Sequence, residues 1–65
     1  MRIFVNGEVT NCENGTIETL IQRHGLSPEA TLVEHNGSAL RRQEWATRKL
    51  EENDRVEILR VAAGG

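Results

Sequence analysis

The stretch MRIFVNGEVTNCENGTIETLIQRHG, residues 1–25, carries the signals that decide the fold. Ile3-Phe4-Val5 is rich in strand formers and runs into Asn6-Gly7, a dipeptide favoured in two-residue hairpin turns because both positions take positive φ. Glu8 to Cys12 reads as the returning strand. Asn14-Gly15 then breaks the chain before Thr16, whose hydroxyl suits a helix N-cap. Ile17, Leu20 and Ile21 recur at helical spacing with His24 on the same side, and Gly25 stands where a helix C′ glycine belongs. A hairpin followed by one helix, residues 17–24, opens an α+β domain.

Beyond the helix, Ser27-Pro28 prevents its continuation. Thr31 to His35 reads as a third strand, ended by a second turn at Asn36-Gly37, with Ser38-Ala39-Leu40 as a short fourth strand. Arg42 to Lys49 has helical propensity but only Trp45 and Leu50 as apolar anchors nearby, which predicts a short helix or helical turn. Asn53-Asp54 makes another turn before the last strand, Arg55 to Arg60. Alternation along that strand puts Val56 and Ile58 on one face and Glu57 and Leu59 on the other. The expected architecture is a mixed sheet of four to five strands gripping one main helix, with a short second helix. Residues 1–60 form one domain, and residues 61–65 a flexible C-terminal tail.

Composition narrows the function. A chain of 65 residues buries about 60% of its unfolded surface, which leaves little room for an enclosed active site and favours a carrier or interaction module. Eight basic and ten acidic side chains give a net charge of −2, without the concentrated basic patch of a nucleic-acid binder. One cysteine permits no intramolecular disulfide, which fits a reducing compartment. No signal peptide or long apolar segment is visible, so a cytoplasmic, membrane-free and monomeric chain is expected.

The ending, Val61-Ala62-Ala63-Gly64-Gly65, suits a narrow enzyme channel in which the Gly65 carboxylate is itself the substrate. Two residues without a Cβ allow another backbone to approach closely, and two alanines keep the thread slender. Cys12 reads as a small apolar filler, His24 as a helix-end residue and His35 as a solvated strand end. Trp45 reads as packing and Arg41-Arg42 as a solvated pair, each with a partner contact as the other reading. One cysteine and two separated histidines match no metal spacing. No nucleophile–base pair or phosphate loop is present, so the chain is not expected to be an enzyme on its own.

The ordered set of pieces resembles a known family over essentially the whole chain. Val5-Asn6-Gly7-Glu8, Thr16-Ile17 with Leu20-Ile21, Gly25-Leu26-Ser27-Pro28, Val33 to Gly37, Arg42-Gln43-Glu44-Trp45, Asp54 to Ile58 and Gly64-Gly65 together look like the ThiS family of thiamine-biosynthesis sulfur carriers. That family is related to the molybdopterin carriers and has the ubiquitin-like β-grasp fold. Two positions depart from its usual pattern: Arg41-Arg42 stands in place of Pro-Arg, and Glu52-Asn53-Asp54 in place of Asp-Gly-Asp. Asn tolerates the left-handed conformation that Gly would supply, so the turn at Asn53-Asp54 can survive.

The resemblance implies that a ThiF-like adenylyltransferase uses ATP and Mg²⁺ to adenylate Gly65, this chain binding no cofactor itself. Sulfur from a cysteine desulfurase or similar donor then makes a thiocarboxylate, which a ThiG-like thiazole synthase consumes. Gly64, Ala63 and Ala62 would thread the partner's channel, and Leu59 and Val61 would dock the partner. Ubiquitin has an arginine at the position matching Val61, so a ubiquitin-type activating enzyme is not the expected partner. Three other readings remain open at this point: a carrier for molybdopterin or another sulfur-containing metabolite, a protein modifier joined through Gly65, and an inert β-grasp interaction module.

Overall fold

Asn6 and Gly7 take φ of +50° and +83°, the left-handed pair that a two-residue hairpin turn of matching twist requires. They join β1 (Arg2–Val5) to β2 (Glu8–Asn11), with Phe4 opposite Val9. The computed structural model describes residues 1–61. Cys12 lies one residue past β2, half-buried against the core, its N–H donating to the Met1 carbonyl.

The helix α1 spans Ile17–Arg23 and is capped at Thr16: the Thr16 hydroxyl accepts from the Thr19 N–H, and Thr19 Oγ1 accepts from the Thr16 N–H. It buries Ile17, Leu20 and Ile21, as their spacing predicts. At the other end His24 caps the helix, with Nδ1 donating to the Leu20 carbonyl, and Gly25 takes φ +66°. A three-residue 3₁₀ turn at Pro28–Ala30, which the sequence reading leaves unassigned, leads into β3 (Thr31–His35). The second Asn-Gly turn, with φ +50° and +85°, connects β3 to β4 (Ser38–Leu40). The segment expected as a short helix or helical turn is a 3₁₀ turn at Arg42–Glu44, anchored by Trp45 before the chain bridges back at Lys49 to Thr16.

The last strand, β5 (Arg55–Arg60), enters the middle of the sheet, giving the order β2-β1-β5-β3-β4. It runs parallel to β1 and antiparallel to β3. This five-stranded mixed sheet with one main helix is the β-grasp arrangement that the order of elements predicts. The inner face carries Ile3, Val33, Val56 and Ile58, which pack with Ile17, Leu20, Ile21, Leu40, Trp45 and Leu50 in one core. Asn53 takes φ +69°, so asparagine holds the turn where the related pattern has glycine.

His35 departs from its expected setting as a solvated strand end, whereas Trp45 takes the packing role expected of it. His35 is buried, because β3 alternates Thr31, Val33 and His35 toward the core. Its Nε2 lies 2.7 Å from Asp54 Oδ2. Trp45 is buried with its Nε1 unpaired, and the Arg42 guanidinium lies over its ring, 5.5 Å from the centroid.

Candidate functional site

The outer face of the sheet carries the exposed apolar residues next to the end of β5. Strand alternation that buries Val56 and Ile58 turns Glu57 and Leu59 outward, and Leu59 is 63% exposed. On β3 the same alternation turns out Leu32 and Glu34. Register places Leu32 opposite Leu59 and Glu34 opposite Glu57. These four side chains and Ala39 of β4 line an open hollow of about 360 Å³.

Val61 follows β5 and is 49% exposed. Its N–H donates to the Ala30 carbonyl at 2.7 Å, so the 3₁₀ turn after the helix supplies the acceptor that fixes where the chain leaves the sheet. Leu59 and Val61, both expected at the base of the tail, are therefore exposed apolar groups on an anchored strand end. Ala62, Ala63, Gly64 and Gly65 lie outside the described residues. From Val61, four further residues reach at most about 14 Å.

A second polar cluster escaped the sequence reading. Asp54 is buried and accepts from Asn36 Nδ2 at 3.0 Å and from the Glu51 N–H at 2.8 Å, besides its contact with His35. Burial pushes its carboxyl up, but the hydrogen bonds from Asn36, His35 and Glu51 outweigh this and hold it below the usual range. The period of two in β3 was the available signal for His35; nothing local marked Asp54 as its partner. This cluster sits beside Val56, at the start of β5, whereas Val61 follows its far end. Its chemistry is that of a turn clamp.

Arg41 and Arg42 are exposed, Arg41 offering its N–H to Glu44 Oε1 and Arg42 covering Trp45. His24, Cys12 and Arg23 border a shallow hollow between β2 and α1, where Arg23 pairs with Glu13 at 3.6 Å. Among the described residues no group of three or more His, Cys, Asp or Glu side chains is placed to hold a metal ion. Among the same residues no helix is long and apolar enough to cross a membrane.

Comparison with known proteins gives four findings. The model of the ThiS family matches residues 1–65. A thiazole synthase of Magnetococcus marinus is 36% identical over 66 residues, and the chain spans about a fifth of the length of that relative. A crystal structure of the thiamine biosynthesis protein ThiS from Geobacter metallireducens superposes with a TM-score of 0.84 at 28% identity, each chain covered completely. The solution structure of a thiamine biosynthesis protein from that organism gives 0.81 at 29% identity, covering all of this chain and 88% of the other.

Proposed function

The chain belongs to the ThiS family of thiamine-biosynthesis sulfur carriers, and from that premise we propose that Gly65 carries the sulfur as a C-terminal thiocarboxylate. A carboxylate is a poor acyl donor because its oxygen leaves badly. A ThiF-like adenylyltransferase, using ATP and Mg²⁺, joins the Gly65 carboxylate to AMP and releases pyrophosphate. Sulfur from a cysteine desulfurase or similar donor displaces AMP, and a thiol reductant cleaves the S–S bond where the sulfur arrives as a persulfide. The thiocarboxylate then delivers sulfur at thiazole synthase. Tethering raises its effective concentration in that site.

The observation that carries this reading is the anchored strand end: Val61 is tied to Ala30, beside the exposed Leu59, immediately before the Ala62-Ala63-Gly64-Gly65 segment. Leu59 and Val61 dock the partner, and Ala62, Ala63 and Gly64 pass through its channel. The match to one fifth of a thiazole synthase supports that enzyme as the acceptor, since a segment of this kind then stands within the same chain.

Intact mass after incubation with the activating enzyme, ATP, Mg²⁺ and a sulfur source tests the reading. The expected result is one oxygen replaced by sulfur at Gly65. Reductant-resistant conjugates to lysine would instead make the chain a protein modifier. No change, with an activating enzyme competent on its own carrier, would make it an interaction module.

A further inference from the structure

Beside the exposed leucines, two carboxylates face each other. Glu34 on β3 is the register partner of Glu57 on β5, and both are exposed. Side chains directly opposite in an antiparallel pair have Cβ atoms about 5 Å apart, and like charges there are destabilising. Among the described residues, the ion pairs within 4.0 Å are Arg23–Glu13, His35–Asp54 and Arg48–Glu44, so neither glutamate is neutralised this way. Arg55 borders a neighbouring hollow with Glu57 and makes no such pair with it. The free chain thus keeps an uncompensated pair of charges at the edge of an apolar hollow.

We propose that Glu34 and Glu57 form a clamp for an arginine side chain of the activating enzyme, seated over Leu32 and Leu59; this rests on the carrier reading above. A guanidinium is planar, always charged and carries five donors, so it can satisfy two adjacent carboxylates at once. Its aliphatic stem packs on the leucine pair while the head reaches the glutamates. The repulsion that costs the free chain stability is relieved on binding. A partner lacking a cation there has to bury two unpaired carboxylates, which supplies selectivity. The occupant follows from reach: Gly65 lies six residues beyond Leu59, at most about 21 Å of chain. A protein seated on the clamp therefore has the tail within reach of its own active site, and for the unmodified Gly65 carboxylate that protein is the activating enzyme.

The test uses the full chain as wild type, Glu34→Gln, Glu57→Gln and the double variant. Binding to the activating enzyme with ATP and Mg²⁺ is measured across a salt series, beside thermal melting and thiocarboxylate formation at saturating enzyme. The clamp predicts that each single variant binds about tenfold more weakly, a loss equivalent to about 1.4 kcal/mol. The double variant should show a shallower salt dependence, while melting temperatures hold or rise. Unchanged affinity, or weaker binding that tracks a lowered melting temperature, overturns the clamp. A wild-type chain that neither binds nor acquires sulfur overturns the carrier reading, and the clamp with it.

Discussion

Asn6 of the first turn pairs through its side chain with the backbone of Ile58 in the last strand: Oδ1 accepts the Ile58 N–H at 2.7 Å and Nδ2 donates to the Ile58 carbonyl at 3.2 Å. The Asn6 N–H also donates to the Val56 carbonyl at 2.9 Å. One residue thereby turns the hairpin and continues the β1–β5 ladder past the end of β1. Asn6→Gly keeps the left-handed backbone but removes both side-chain bonds, leaving the Ile58 groups without those partners. It is expected to cost about 1–2 kcal/mol, read from the urea midpoint. Asn6→Ala adds the strain of a positive φ and should cost more.

The Asp54 cluster predicts acid sensitivity. The Asp54 carboxyl titrates below its ordinary value because hydrogen bonds outweigh burial. Its stabilising contribution is therefore complete above the unfolded value of about 3.9 and is lost as pH falls through the lower folded value. Denaturation midpoints should drop as pH falls below about 4, and Asp54→Asn should flatten that drop. At neutral pH, Asp54→Ala unpairs Asn36 Nδ2, the Glu51 N–H and His35 Nε2. The expected cost is about 3 kcal/mol or more, a large share of the stability of so small a domain. An acid profile unchanged in Asp54→Asn would remove the carboxylate from this role.

Elements whose determinants are local were legible in the sequence. Two Asn-Gly pairs, Thr16 and Gly25 each act through their own φ or an adjacent amide, so both hairpins and the helix follow from neighbours in the chain. Outward placement of Glu57 and Leu59 follows from a period of two. The clamps were not legible. Asn6 and Ile58 are 52 residues apart, and His35 and Asp54 are 19 apart. Their pairing depends on β5 entering between β1 and β3, which no local pattern encodes. The Glu34–Glu57 pair needs the same register. At the tail, Ala30 becomes an acceptor for Val61 only because the Pro28–Ala30 turn sits beside the end of β5.

Leu59 separates docking from folding. It is 63% exposed and opposite Leu32, so Leu59→Gln loses a cross-strand pair worth about 0.2–1 kcal/mol. If the face docks the activating enzyme, the same change should raise the carrier concentration for half-maximal activation about tenfold, a loss of about 1.4 kcal/mol. Activation kinetics beside a thermal melt check this. Unaltered kinetics would mean that the leucine is an exposed residue without a partner.

Val61 tests the exit of the tail, because its side chain and its amide can be removed separately. Val61→Ala keeps the N–H bonded to Ala30 and deletes only the exposed apolar group. It should weaken docking while leaving turnover at saturating enzyme unchanged. Val61→Pro removes the donor, at a stability cost of about 1 kcal/mol for one hydrogen bond at the end of a strand. The strand end then loses its tie to the 3₁₀ turn, so Gly65 is presented from a less defined point and the maximal rate of sulfur loading should fall. Correct positioning of a reacting group converts directly into rate, so a several-fold loss is expected even where affinity is retained. Loading at saturating enzyme, followed by intact mass over time, measures it. Equal maximal rates for Val61→Pro and wild type would show that the tail needs no fixed origin, leaving the Ala30 contact a purely structural tie.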